Sequence, residues 1–191
     1  MIVRALLAVA LFATAPAPPV EHIGHVNLTR APAPHKALDF EVRVPAPRDS
    51  VWSAFTTAPG MMTWLWKDCS VDLRKGGDWT VRFSPTSKGG GTIEKIEPGK
   101  AITIHALAPD QFPTVRKLGT TAAFSFEADG DSVTVVRLAQ TGWREGEEWD
   151  KAYDYLAKGN AQLLGQLRYR FTHGPIPWDA LAKADTTGAK H

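Results

Sequence analysis

Apolar and charged residues alternate strictly over residues 38–44, where every second side chain is apolar. This period of two predicts a β-strand with one buried face. Short runs rich in β-branched and aromatic residues recur further along the chain. These predicted strands cover residues 70–73, 79–83, 92–96, 101–107, 120–128 and 133–140, and predicted glycine-rich turns lie at 75–78 and 87–91. Strands at this spacing indicate an antiparallel meander.

Two short apolar segments lie between the first strand and the meander. Val51, Trp52 and Phe55 fall on one side of residues 48–57, which predicts a short amphipathic helix. The dense apolar cluster at residues 61–66 is a candidate for a second short helix.

The pattern changes near residue 147, where apolar side chains begin to recur every three or four positions. Residues 147–172 are therefore predicted to form a helix about 39 Å long. Acidic residues at its start and basic residues at its end suit the helix dipole, and Gly174-Pro175 is a stop signal. Gly159 in its interior costs about 1 kcal/mol relative to alanine. We expect either close packing or a bend at that position.

Both ends of the chain are predicted to lie outside the domain. Residues 1–19 combine an early arginine, a short apolar run and small residues, as a secretory signal peptide does. An uncleaved anchor is the alternative, although a membrane-spanning helix needs about 20 apolar residues. Residues 20–36 are interpreted as an extended leader or linker, and residues 175–191 as a loose tail. We expect export to the periplasm or the cell exterior, with no membrane span in the mature form.

Composition narrows the classes of function. The chain has 191 residues, of which 43% are hydrophobic and 22% charged, as expected for one globular domain with tails. Its formal net charge of +2 provides no dense basic stripe, so we expect no nucleic-acid partner. Cys69 is the only cysteine, which rules out an internal disulfide. It is interpreted as a small half-buried residue, with a reactive or intermolecular thiol as the alternative.

Several short motifs follow one another in a recognisable order. They are Val44-Pro45-Ala46-Pro47 leading into residues 51–57, then Trp64-Leu65-Trp66, the run 71–79, Thr141-Gly142-Trp143 with residues 146–150, and Tyr153-Asp154-Tyr155-Leu156. Together they resemble the START-like (SRPBCC) superfamily, and within it the branch of the Hsp90 ATPase activator homologue C-terminal domain. The resemblance covers about residues 38–171. It implies an α+β helix-grip fold over residues 37–174, in which a curved antiparallel β-sheet wraps around a long C-terminal α-helix, with one or two short N-terminal helices.

The chain departs from the family pattern at two positions that bear on function. The family often has an aromatic residue in the middle of the last helix, where this chain has Gly159-Asn160. It often has a histidine in the strand before the glycine-aromatic turn, where this chain has Gln140. Both changes are expected to reshape or polarise a cavity. An exported protein would not meet a cytosolic chaperone, so the resemblance implies the fold and a cavity rather than chaperone activation.

A helix-grip domain encloses a volume between sheet and helix, which is the default site for a small apolar ligand. The expected lining residues come from the early cluster, the meander and the last helix: Trp64, Trp66, Phe83, His105, Phe124, Trp143, Trp149, Tyr153, Asn160 and Leu164. Each could instead be ordinary core. The Asn160 amide, on an apolar face, must either bond a neighbouring strand or face a wet pocket. His105 is a candidate general base, although a structural histidine is the favoured interpretation.

No catalytic motif accompanies these residues, and no phosphate-binding loop or zinc motif is present in the sequence. We therefore expect an exported protein that binds a small hydrophobic ligand or lipid, with no cofactor and no metal site. One alternative is an enzyme of the cyclase or hydratase type that uses the same pocket, with His105 and Tyr153 or a carboxylate converging there. The other is an interaction module that binds a protein through its sheet or its tryptophan cluster.

Overall fold

The computed structural model describes residues 18–181, in which every strand joins one antiparallel sheet in the order β1-β2-β3-β9-β8-β7-β6-β5-β4. The strands are β1 (Val20–Ile23), β2 (Val26–Ala31), β3 (Ala37–Val44), β4 (Cys69–Val71), β5 (Asp78–Arg82), β6 (Lys88–Glu97), β7 (Ala101–Ala106), β8 (Thr120–Ala128) and β9 (Thr134–Thr141). The helices are α1 (Arg48–Thr56), α2 (Ala58–Met62), α3 (Pro113–Leu118) and α4 (Glu147–His173). The curved antiparallel sheet and long C-terminal helix confirm the predicted α+β helix-grip fold.

The alternating strand β3 lies in the middle of one half of the sheet, between β2 and β9. Leu38, Phe40, Val42 and Val44 are each no more than 2% exposed, whereas the charged residues between them face away from the core. Helix α4 lies across this region and is fastened to it by Tyr153, whose hydroxyl donates to Ala37 O at 2.9 Å. The predicted strand and the predicted long helix are therefore the two walls of the core.

The N-terminal segment corrects the expectation of an extended leader at residues 20–36. Residues 20–31 form the β1–β2 hairpin, and β2 pairs with β3 along its whole length. Val26 and Leu28 of β2 are completely buried. Their alternation with Asn27 and Thr29 is a period of two, but it extends over too few residues to stand out among the prolines and histidines around it.

The second predicted turn, at residues 87–91, is also different in the structure. Gly89, Gly90 and Gly91 are part of β6 and pair with β5. An added Cβ at Gly91 would lie 1.9 Å from His105 O of β7, and one at Gly90 would lie 2.0 Å from Trp79 O of β5. These glycines allow the strands to approach closely rather than ending them. Helix α3 lies between the predicted strands 101–107 and 120–128, where the sequence pattern predicts no helix.

An aromatic cluster fills the space between α1, α2 and the sheet. We use "the aromatic cluster" for Phe55 and the rings around it. The ring centroid of Phe55 lies 4.8 Å from that of Trp64, 5.0 Å from those of Phe124 and Phe126, and 6.2 Å from that of Trp79. Both indole N–H groups donate to backbone carbonyls of α1: Trp64 Nε1 to Ala54 O at 2.9 Å, and Trp79 Nε1 to Phe55 O at 2.8 Å. This region is packed and its polar atoms are satisfied.

The chain beyond α4 returns to the domain instead of being loose from residue 175. Ile176 N donates to Thr63 O at 2.9 Å, and Trp178 Nε1 donates to Met62 O at 2.8 Å. The Trp178 ring also packs against Trp66, with centroids 5.1 Å apart. The rest of the predicted tail, residues 182–191, lies outside the described residues, and so do residues 1–17 of the predicted signal peptide.

Candidate ligand cavity

A cavity of about 550 Å³ lies between strands β5–β9 and the middle of helix α4. Its buried wall is apolar because the inward positions of neighbouring strands carry aliphatic and aromatic side chains. Val81, Ile104, Ala122, Phe124 and Leu138 all line it, and each is at most 7% exposed. A volume of this size, bounded by such side chains, suits a small organic molecule.

Helix α4 closes the cavity with one face. Leu156, Gly159, Asn160 and Leu163 line the space and recur at the three- and four-residue spacing that places side chains on one side of a helix. An added Cβ at Gly159 would find no heavy atom within 4 Å. Close packing, one of the two explanations expected for this glycine, is therefore wrong: the missing side chain leaves room in the cavity.

Polar side chains reach the buried part of the cavity wall where α4 faces β9 and β8. Asn160 Nδ2 donates to Gln140 Oε1 at 2.7 Å, and Gln140 Nε2 donates to Thr120 Oγ1 at 2.9 Å. Gln140 and Thr120 are 3% and 4% exposed, whereas Asn160 is half-buried and lines the cavity. The two departures from the family pattern thus meet in one hydrogen-bonded pair. Asn160 fulfils both predicted outcomes, because it bonds a neighbouring strand and also faces the cavity.

The mouth of the cavity carries the charged and exposed lining residues. Phe83 and Tyr155 are about half exposed there, at 53% and 48%. The mouth loops are joined by Asp110, which accepts a hydrogen bond from Ser87 Oγ at 2.8 Å and pairs with Arg116 Nε at 3.0 Å. Asp110 therefore links the β5–β6 turn to the segment before α3 and to α3 itself.

Helix α3 is itself held against the start of α4. Glu148 Oε1 accepts from Thr114 N at 2.6 Å and from Val115 N at 3.0 Å. A hydrogen bond from the Thr114 side chain lowers the pKa of the Glu148 carboxyl most, and the two backbone N–H groups lower it further, because all of them favour its charged form. Phe112 and Val115 pack beside Trp149 in a small second core next to the mouth.

Three of the ten residues predicted to line a ligand site do line this cavity: Phe83, Phe124 and Asn160. Trp64 and Leu164 are completely buried in the main core, and Trp149 belongs to the second core. These three aromatic or aliphatic side chains fill space instead of bounding the cavity, as ordinary core residues do.

The other predicted lining residues are placed elsewhere by their neighbours. Trp143 packs edge-on against Tyr153, with ring centroids 5.0 Å apart, near the end of β3 that holds the Tyr153 hydroxyl. Burial raises the pKa of that phenol. Trp66 packs between Phe83 and Trp178 and is half-buried at the edge of the main core.

His105 lies on the face of the sheet opposite the cavity. Its neighbour Ile104 points inward and is 2% exposed, so the alternation of β7 turns the histidine outward. Its Nδ1 lies 3.9 Å from Glu94 Oε1, and its ring packs over Gly119, where an added Cβ would come within 2.2 Å of Nε2. The alternative prediction that His105 and Tyr153 meet in the pocket is therefore wrong.

Sequence reasoning missed several lining residues that carry weak signals. Ala106, Leu156 and Leu163 have ordinary apolar character, and Tyr155 resembles a surface residue of the helix. Gln140, which the family resemblance already marked as a change that could polarise a cavity, continues the inward alternation of Val136 and Leu138 along β9. A polar residue at an inward position of a buried strand requires a partner, and that requirement is the signal.

No helix between residues 18 and 181 is long and apolar enough to cross a membrane. Over the same residues, no group of three or more histidine, cysteine, aspartate or glutamate side chains could hold a metal ion.

Comparison with known proteins agrees with the fold described above. The family model described as "Activator of Hsp90 ATPase homolog 1-like protein" matches residues 45–172. No curated protein matches the chain. Among solved structures, the Aha1 dimer from Colwellia psychrerythraea is 21% identical, with a TM-score of 0.58, covering 72% of this chain and 97% of that one.

Two further solved structures share the fold. Protein MLL2253 from Mesorhizobium loti is 18% identical with a TM-score of 0.61, covering 73% of this chain and 99% of that one. CalU16 from Micromonospora echinospora is 21% identical with a TM-score of 0.56, covering 86% of this chain and 92% of that one. At these identities the likeness concerns the fold alone.

Proposed function

The chain belongs to the Activator of Hsp90 ATPase homolog 1-like family, within the START-like superfamily, and we propose that it binds a small hydrophobic ligand between its sheet and helix α4. The observation that carries this proposal is the cavity of about 550 Å³ with an apolar buried wall. Burying apolar ligand surface there contributes roughly 25 cal/mol per Å². Gly159 supports the same function, because a residue without a side chain leaves open space between the middle of the helix and the sheet.

The geometry favours binding over the acid–base chemistry of a cyclase or hydratase. The residues that line the buried wall are uncharged, and the charged lining residues Lys88 and Asp110 lie at the mouth. Asp110 is already engaged by Ser87 and Arg116. Such an enzyme would need a proton donor or acceptor within hydrogen-bond reach of the bound molecule.

The proposal is tested by titrating the protein with N-phenyl-1-naphthylamine, an uncharged apolar fluorescent probe. Gly159→Leu places a side chain in the cavity and is expected to weaken probe binding by about tenfold or more, which corresponds to about 1.4 kcal/mol. Gly165→Leu is the matched control, since Gly165 is on the same helix, also has open space for a Cβ, and does not line the cavity. Equal binding by both variants would place the probe elsewhere.

Native mass spectrometry of the protein isolated from its producing cells complements the titration. A reproducible additional mass of metabolite or lipid size, lost on denaturation, is the expected result. The same additional mass on Gly159→Leu would contradict a ligand held in this cavity.

We further propose that the mature protein works outside the cytoplasm. Support comes from Arg4 followed by the apolar run at residues 5–13 and then by small residues. A C-terminally tagged chain is expected in the exported fraction, with a new N-terminus near residue 19, whereas a chain lacking residues 2–19 stays in the cytoplasm. Retention of the tagged full chain inside the cell would refute export.

A further inference from the structure

The amide of Asn160 is the only polar side chain that helix α4 contributes to the buried part of the cavity wall, among the residues that the structure describes. It is supported from behind by Gln140, which is itself held by Thr120. The backbone carbonyl of Gln140 also accepts from Trp143 Nε1 at 3.0 Å. Both the side chain and the main chain of Gln140 are therefore fixed, and they position the asparagine.

An asparagine amide has two N–H donors and one carbonyl oxygen. One N–H of Asn160 is used by Gln140. Its Oδ1 and second N–H make no hydrogen bond to any group between residues 18 and 181. If the O and N atoms of the Asn160 and Gln140 amides are assigned the other way round, each hydrogen bond from Asn160 through Gln140 to Thr120 reverses its direction. Part of the Asn160 amide still faces the cavity in that assignment. Asn160 Oδ1 is not among the fully buried unpartnered side-chain atoms of the described residues, so it is accessible to a group that enters the cavity.

The apolar surroundings of this amide define the partner that it suits. Leu156 and Leu163 flank it on the helix, and Leu138 and Ala122 lie on the strands opposite. No cation lies at this buried end to compensate a carboxylate or phosphate, because the lining lysine, Lys88, is at the mouth. A charged group would lose its hydration there without a counter-ion, whereas a hydroxyl or carbonyl needs only the hydrogen bond that the amide offers.

We propose that Asn160, positioned by Gln140, forms a subsite for a single uncharged hydroxyl or carbonyl group on an otherwise hydrophobic ligand. The inference rests on the proposed function, since it specifies the ligand class of the same cavity. It assigns selectivity to the two positions at which this chain departs from its family pattern. The ligand class is thus alcohols, phenols and ketones, in preference to hydrocarbons and to carboxylates that enter head first.

Three probes with one ring system separate these classes: 2-naphthol, 2-methylnaphthalene and 2-naphthoate. Each is titrated against the bound N-phenyl-1-naphthylamine, and its dissociation constant is taken from the displacement. We expect 2-naphthol to bind about tenfold more tightly than 2-methylnaphthalene, since a buried hydrogen bond is gained. Hydrophobicity alone predicts the reverse order, because the methyl compound is the more apolar of the two. We expect 2-naphthoate to bind most weakly.

The variant Asn160→Leu tests the residue, and Gln162→Leu is its control on the exposed face of α4. Asn160→Leu is expected to reverse the preference so that 2-methylnaphthalene binds more tightly than 2-naphthol, while Gln162→Leu keeps the wild-type ratio. A merely structural role of Asn160 changes the affinity for both probes together and leaves their ratio intact, which is why the ratio is the readout.

The outcomes distinguish this inference from the proposed function. If the two neutral probes bind equally, or if 2-naphthoate binds as tightly as 2-naphthol, the polar subsite is refuted while the hydrophobic cavity stands. If Asn160→Leu leaves the ratio unchanged, the subsite is likewise refuted. If neither N-phenyl-1-naphthylamine nor any of the three probes binds to the wild-type protein, the proposed function fails, and the inference fails with it.

Discussion

The aromatic cluster and the cavity occupy neighbouring parts of the same space, under one sheet, but they are packed differently. In the cluster, the Phe55 ring has other rings about 5 to 6 Å away in several directions, and α1 supplies carbonyls for the nearby indoles. In the cavity, the helix presents a glycine with open space in front of it. Phe124 belongs to both regions, since it contacts Phe55 and lines the cavity.

The difference shows how a helix-grip domain divides stability from binding. Large side chains, each with its polar atoms satisfied, make the cluster rigid and exclude water from it. The cavity wall includes some small or polar residues, namely Ala122, Gln140, Gly159 and Asn160, and the Asn160 amide keeps unused hydrogen-bonding capacity. One region therefore holds the fold, and the other keeps space for a guest. The following changes break or sharpen that contrast.

The largest expected effect comes from opening the aromatic cluster. Phe55→Ala removes a completely buried ring and is expected to lower the free energy of unfolding by about 3–5 kcal/mol. Urea denaturation followed by tryptophan fluorescence measures this change. Phe83→Ala is the control from the cavity mouth, where the ring is 53% exposed, and should lower it by less than about 1 kcal/mol. Similar losses in the two variants would remove the distinction between the regions.

A second contrast concerns thiol reactivity. Cys69 packs in the main core, its Sγ donates to Trp66 O at 3.2 Å, and burial raises the pKa of its thiol to about 11 from an ordinary 9.0. At pH 8 we expect it to react with Ellman's reagent about a hundredfold more slowly than an exposed thiol does. Leu163→Cys, made together with Cys69→Ala, places a thiol in the cavity wall and should react much faster. Equal rates would contradict the contrast.

The same thiol contributes to the pH dependence of stability. Because its pKa is raised in the folded protein, folding favours the protonated thiol. This contribution is complete below pH 9 and is lost as the pH rises toward about 11. Wild type should therefore lose more unfolding free energy over this interval than Cys69→Ala does. Parallel losses in the two proteins would show that the thiol contributes nothing.

The smallest expected effect is a gain in stability. Gly159→Ala should raise the free energy of unfolding by about 0.5–1 kcal/mol, because alanine favours the helix and its Cβ meets open space. Gly60→Ala, next to the aromatic cluster, should do the opposite, since a Cβ there would lie 2.3 Å from Ser53 O. Thermal denaturation compares them. Destabilisation by Gly159→Ala would show that the space beside the helix is filled.

Much of the fold is predictable from the sequence because it rests on local periodicity. The period of two in β3 and the three- and four-residue spacing in α4 are visible without any tertiary contact, and both elements are confirmed. The β1–β2 hairpin was missed because its burial depends on pairing with β3. The glycines of β6 were interpreted as a turn because their close approach to β5 and β7 has no local signature.

The candidate site is less predictable, for a physical reason. An aromatic side chain carries the same apolar surface whether it fills a core or borders a cavity. The sequence alone therefore does not distinguish Trp64, which is core, from Phe83, which lines the cavity. His105 was assigned by residue type, whereas the inward or outward side of β7 is decided by register. Asn160 does line the cavity, and the sequence can point to it because a polar group on an apolar helix face needs a partner or a pocket in any fold.

The sequence by itself determined the antiparallel meander, the long final helix and the polar residue Asn160 on an apolar helix face, because these follow from periodicity and residue chemistry. The resemblance of its motifs implied the helix-grip class and drew attention to Gln140. Only the tertiary structure decided that these two amides bond each other, that Gly159 faces open space, and that His105 lies on the outer face. Those outcomes depend on how far the strands are from the helix and on which side of each strand faces inward. Both are properties of the packed domain and not of any segment of the chain.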